Sequence, residues 1–547
     1  MRGKTPRKLA VGAAAIVLLA AAGCSGDDTG GTTDPNANKG GDLRVMSGEP
    51  ESLMTTNGAE SEGIAVMRQL YAGLVAYNAD SGKPENVIAE SIESTDQKKW
   101  TIKLKSNFKF TNGEAVNADA FIRAWNFGAY GPNVQGNSYF YDRIEGYADL
   151  QSEDPDGEEG PQKAPEPKAK EMSGLKKLDD NSFEVNLAEP FAGFPTMLGY
   201  VAFMPLADAC VKDAKACNET PIGNGPFKMD GAWEHKVQIK TVRNDEYAGT
   251  KANVDKLTFK IYDNIETGYN DFQAGELDII DTVPPAKYKE AKAQYGEKMI
   301  EKPTTSLTYL GFPLYKPQFA NKKLRQAFSM AIDRQAIIDA VFAGQRTPAK
   351  SIAPSLIPGS RETACAYCQT DATKAKQLLA EAGGWPGGKA EFWFNAGAGH
   401  EVWVQGVADQ IKKNLGVDFT MKGQLQFAEY LATGDKKGFT GPFRLGWGAD
   451  YPLLENYLKP LFGKSGSSNY PKYDNAEFDS LIAQGDGAAS LDEANTFYQK
   501  AEDMVMEDMP VIPLWFGQSS SVTGEKVKSI TFNRIEELDY ATAVMVK

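Results

Sequence analysis

The sequence predicts an α/β protein built as two lobes joined by two crossings. Stretches that alternate apolar and polar residues, such as 100–105 and 183–187, are interleaved with stretches whose apolar residues recur every three or four positions. Half-buried strands therefore alternate with amphipathic helices. After residues 304–311 the chain turns richer in helices, and residues 509–515 carry it back, so 304–311 is read as a crossing strand between lobes. With 547 residues the chain can bury a large core without metal or disulfide support.

Residues 1–23 have the layout of a secretory leader: Arg2, Lys4, Arg7 and Lys8, then an apolar run too short to span a bilayer comfortably. Small residues 20–23 immediately before Cys24 resemble a bacterial lipobox, which implies lipidation of Cys24 as the mature amino terminus; a plain signal peptide is the alternative. Residues 24–40, polar and rich in Gly, Asp, Asn and Thr, read as a flexible tether. The folded body is then expected outside the membrane, held by one end. The other cysteines fall in two local pairs, Cys210 with Cys217 and Cys365 with Cys368, expected as short-loop disulfides in that oxidising compartment. A redox role for the second pair lacks a thioredoxin-like strand-turn-helix around it.

The body opens with Leu43 and Val45 alternating with polar residues before a Gly-Glu-Pro break, a strand leading into a loop. Residues 64–72 read as a helix, 100–105 as a strand, and Asn112 with Gly113 as a tight turn. Asn117 can cap a helix that places Phe121, Ala124 and Trp125 on one face. Residues 151–170 are dense in charge and proline and read as an exposed insertion. Later, Asp333 caps a helix ending at Gly344, residues 371–382 form another, and one begins near His400. Ala494, Phe497, Tyr498, Ala501 and Val505 share one face of a further helix.

Charge and histidine content remove several functions. There are 59 basic and 73 acidic residues, a net charge of −14; without the leader's four basic residues the balance is 55 to 73, or −18. A nucleic-acid partner is not expected. Only His235 and His400 are available, so histidine-built metal centres and most hydrolase triads lack raw material, and no metal or cofactor is expected. No GxSxG or HExxH constellation marks a secreted hydrolase.

The most informative stretch is 443–452, FRLGWGADYP, which places one carboxylate and two aromatics in an apolar, glycine-loosened segment. An acid beside a Trp ring in a partly dry cleft seats an ammonium group, each charge-assisted hydrogen bond contributing roughly 1.5–3 kcal/mol. On these residues alone, Asp450 as a local cap and Trp447 as core remain an alternative.

Three further blocks carry a family resemblance. Residues 103–125 (KLKSNFKFTNGEAVNADAFIRAW), residues 221–227 (PIGNGPF) with Trp233 and 243–247 (RNDEY), and residues 272–278 (FQAGELD) resemble, in that order, segments of the extracellular solute-binding proteins of family 5, the peptide and nickel receptors of ABC importers. Most of these glycines and aromatics read as scaffold. The resemblance implies a periplasmic-binding-protein-like fold of type II (the enlarged cluster C). Lobe I comprises 41–304 plus 515–547 with an extra subdomain at about 58–185, lobe II 305–514, and the ligand lies between them.

Residues 446–452 resemble the family's GW-x-A-D-Y segment, in which the Asp binds a peptide's α-ammonium. That implies Asp450 as ligand anchor, with Trp447 beside it. Glu49 matches an acidic position near the cleft, Tyr139 an aromatic one, and Asn395 lies in a loop bordering the cleft; the alternatives are a solvated acid, packing and a turn residue. The function implied is an extracytoplasmic receptor, not an enzyme, that clamps peptides and delivers them to a membrane permease with its ATPase subunits. A monomer is expected. Nickel chelates, oligosaccharides or a peptide-sensing role are the alternatives.

Overall fold

The computed structural model describes residues 40–152, 164–535 and 537–546. Cys24, the tether up to residue 39 and the core of the predicted insertion lie outside them. Two sheets organise the body. The first has seven strands and is centred on Asp42–Ser47, which pairs in parallel with Lys256–Ile261 on one side and Ile279–Ile280 on the other. Its alternation works as read: Leu43 and Val45 are fully buried while Arg44 and Met46 are not.

The second sheet has six strands, ordered Arg346–Pro348, Val511–Gln518, Pro303–Gly311, Phe443–Trp447, Ala390–Trp393 and Phe419–Lys422. It is covered on both faces. Along Pro303–Gly311, Leu307 and Tyr309 enter one apolar cluster with Phe443, Leu445 and Tyr457, whereas Leu310 enters another with Phe328, Trp403 and Trp515. A separate four-stranded sheet, containing Lys99–Leu104 and Ser182–Asn186, shares its core with the first sheet.

The caps explain where helices start. Asn117 accepts from the Ala120 N–H (3.2 Å) at the head of Ala118–Ala129, Asp333 from Ala336 (3.0 Å) before Arg334–Val341, and Asp371 from Lys374 (2.9 Å) before Ala372–Glu381. The helix read as 64–72 is Ser61–Leu70, three residues earlier, because Glu60 supplies its cap by accepting from Gly63 N–H at 3.0 Å.

The crossings between the sheets lie side by side. Met299 and Ile300 pair with Val522 and Ser521 in the first sheet, Ser519 N–H donates to the Lys302 carbonyl oxygen (2.7 Å), and Pro303 pairs with Gln518 in the second. One antiparallel ribbon thus runs from sheet to sheet. Residues 515–518, expected with the first lobe, and Thr304 belong to strands of the second sheet, because both strands continue to the ribbon before changing partners.

Cys210 with Cys217 and Cys365 with Cys368 are disulfides, their Cα atoms 5.0 and 5.4 Å apart. Among the described residues no helix is long and apolar enough to cross a membrane, and no cluster of His, Cys, Asp and Glu could hold a metal.

Candidate ligand-binding site

Between the two sheets lies a cavity of about 1440 Å³, walled by Met46 and Phe259 of the first sheet, the helix Ser61–Leu70, and Ser306, Arg444 and Gly517 of the second. The ribbon itself contributes uncharged polar residues to its floor, Thr304, Ser306, Gln518, Ser519 and Ser520, with Asp281 lining it alongside. Such a floor offers hydroxyl and amide partners to any backbone laid over it without demanding particular side chains.

Asp450 lines this cavity, three residues beyond the Phe443–Trp447 strand. Asn456, 1% exposed in the turn Leu454–Tyr457, clasps it. The Asn456 Oδ1 accepts from the Asp450 backbone N–H (3.0 Å) and from Trp447 Nε1–H (3.4 Å), while its Nδ2–H donates to Asp450 Oδ2 (3.0 Å). Acid and indole are thereby fixed by one amide.

Among the described residues no cation pairs with Asp450, unlike its neighbour Glu455, which Arg143 engages at 2.6 Å. Burial pushes the Asp450 carboxyl up to about 7; the Asn456 hydrogen bond opposes the rise and the charge of Glu455 adds to it. Aromatic groups surround it. The hydroxyls of Tyr200 and Tyr457 are raised above the ordinary tyrosine range by burial first and then by the charge of Asp450, which places them within its field. Tyr139, 39% exposed, lines the cavity and feels the same charge. An unanswered carboxylate in an aromatic box is a seat for a cation.

Two expected contacts lie elsewhere. Glu49 does not line the cavity: it accepts from the Lys236 N–H and bonds His235 Nδ1, both at 2.8 Å, because the loop after Ser47 runs to the turn that carries His235. Asn395 is 4% exposed and is also absent from the walls; its Oδ1 accepts from Arg444 Nη1–H at 3.1 Å. Asn395 therefore orients Arg444, which does line the cavity.

Strand alternation turns Arg444 away from the face that buries Phe443 and Leu445, and no carboxylate among the described residues pairs with it. Burial pulls its pKa down. Arg444 was legible only as a strand residue, although a charge inside an apolar strand was the available signal. Asn456 gave none, since its partners are set by a turn.

Two covered sheets joined by a paired ribbon, with a large polar-floored cavity between them, define a receptor that encloses a solute. The chain belongs to the bacterial extracellular solute-binding proteins of family 5, whose middle segment matches residues 83–469. It is 26% identical over 548 aligned positions to the oligopeptide-binding protein OppA of Bacillus subtilis, covering 96% of this chain and 97% of that one. It is 28% identical over 479 positions to the heme-binding protein A of Haemophilus influenzae, covering 82% of each. The unliganded open form of the murein tripeptide-binding protein MppA shares the fold, with a TM-score of 0.75 at 24% identity over 93% of this chain and 98% of that one.

Proposed function

We propose that this protein is the extracytoplasmic receptor of an ABC importer and that it captures peptides by their free amino terminus, seated on Asp450. The observation that carries the reading is the carboxyl itself, raised to about 7 by burial, with no cation paired to it among the described residues and boxed by Trp447, Tyr139, Tyr200 and Tyr457. The relatives named for oligopeptides and for heme share the family, so membership leaves the solute open, and the charge at Asp450 supports an ammonium-bearing one. The polar residues of the ribbon support binding through backbone amides, which every peptide has. Closure about the ribbon would expel water and strengthen each polar contact. The protein acts as a monomer, tethered through lipidated Cys24, and presents its closed form to a permease and its ATPase.

Calorimetry with matched free and N-acetylated peptides tests the assignment. Acetylation removes the positive charge and is expected to weaken binding about tenfold or more. Equal affinity for both forms would remove Asp450 from the site. For the tether, Cys24→Ser is expected to move the protein from the membrane to the soluble fraction.

A further inference from the structure

Asp450 sits on a segment that passes from one apolar core to the other. Tyr451 and Leu453 are buried in the core of the first sheet, whereas Leu454, Tyr457 and Leu458 are buried against the second. At this joint stands Arg143, its side chain 10% exposed, on chain flanked by Tyr141 and Ile144 of the first core. It donates to Glu455 at 2.6 Å and to Asp486 at 2.9 Å, and Lys459 donates to Asp486 at 3.3 Å. The other carboxylate oxygens are answered as well: Tyr451 donates to Glu455 Oε2 (3.0 Å) and Tyr498 to Asp486 Oδ1 (2.8 Å). Exposed Asp142 also acts on Arg143, and Arg68 and Glu60 act with opposite sign on Tyr200, which feels Asp450.

Counting charges singles out one acid. Two cations, Arg143 and Lys459, answer Glu455 and Asp486, while Asp450 has the Asn456 amide and no cation among the described residues. The charge of Glu455 reaches Asp450 and adds to its rise. Burial pushes Glu455 up in turn, and Arg143 pulls against that rise. Without the arginine, two neighbouring acids in a poorly solvated site would compete for protons, and an arriving ammonium would have to displace one.

We propose that Arg143 is a positioning residue for capture of the amino terminus: by keeping Glu455 answered across the joint between the two cores, it leaves Asp450 as the one acid of the cluster that takes an ammonium. The proposal rests on the peptide reading above and adds the group that tunes its anchor. A bound ammonium completes a set of three cations and three acids, so the cluster is neutral when the cavity is filled.

Calorimetry on the whole protein with matched free and N-acetylated tetrapeptides, repeated in two buffers of different ionisation heat, reads affinity and proton release together. In the wild type the free peptide is expected to bind about tenfold or more tightly than the acetylated one, releasing about half a proton at pH 7. Arg143→Met should raise the release towards one proton, move the climb of affinity to higher pH and weaken the free peptide several-fold at pH 7. Glu455→Gln, which leaves Arg143 on Asp486, should lower the release below that of the wild type. The double variant, lacking both the cation and the acid it answers, should return the release close to the wild-type value. A role confined to packing would leave release and pH profile the same in all four proteins, and that result overturns the proposal while the peptide reading stands. If Arg143→Met does not fold, the double variant and Glu455→Gln differ only at Arg143, and equal release from those two overturns it. A wild type that binds the free and acetylated peptides equally overturns the peptide reading and the positioning role with it.

Discussion

Asp450 is held in the folded protein against its own preference. A carboxyl that titrates near 7 when folded and near 3.8 when unfolded binds more protons in the folded state across that window. Its contribution to stability therefore falls as pH rises from about 4 to about 7 and stays low above. Asp450→Asn is expected to raise the melting temperature of the empty protein at pH 8, by an amount that vanishes towards pH 4, and to weaken peptide binding more than tenfold. Thermal melts and titrations on one preparation check both signs. An ammonium ligand must also displace the proton. Near pH 7 binding should release about half a proton, read from the dependence of calorimetric heat on buffer. Affinity should climb from pH 5 to about 7 and decline above about 8, where a peptide's amino group loses its charge. The acid and its Trp were legible because a charge among apolar residues and glycines is conspicuous in any sequence. Asn456 and Asn395, which hold the charged groups still, were not read as positioning groups, because each is defined by what it touches after folding.

The elements that wall the cavity also depend on glycines outside its lining. Gly223, Asn224 and Gly225 close on the end of the helix Ser61–Leu70: Gly225 N–H donates to the Leu70 carbonyl oxygen (2.9 Å), and the Asn224 side chain bonds both the N–H and the carbonyl oxygen of Ala72 at 3.1 Å. A Cβ on Gly223 would strike the Leu70 carbonyl oxygen, and main chain cannot rotate aside. Gly223→Ala is expected to destabilise by about 1–3 kcal/mol, measured by denaturant unfolding, and to loosen the wall that bears Arg68. The scaffold reading of this turn needed only its composition. Strands with strict alternation, such as Lys99–Leu104, and helices with Asn or Asp caps were equally plain, because both signals are local. The head of Ser61–Leu70 was missed because its cap is a glutamate, an uncommon choice that composition does not flag.

Across the molecule, one largely covered arginine joins parts of the chain more than three hundred residues apart. Arg143 engages Glu455 at 2.6 Å and Asp486 at 2.9 Å, lies 3.8 Å from the centre of the Phe191 ring, and shares Asp486 with Lys459 at 3.3 Å. Arg143→Ala would leave Glu455 without its cation beside Asp450 and is expected to destabilise by about 3–5 kcal/mol in equilibrium unfolding. No sequence signal reports such a cluster, because its members meet only when both sheets are in place. The division into two covered sheets was legible from the change of character after residue 304, whereas the end of the second crossing was not, since residues 515–518 suit a strand in either sheet.

The paired ribbon between the sheets also limits how the halves can move. Two strands hydrogen-bonded to one another across the gap bend out of their common plane more easily than they slide past each other, so the ribbon favours a swing of the halves over a shear. A protease that nicked one strand would leave the halves still joined by the other, and the returning swing would bring the same two walls face to face.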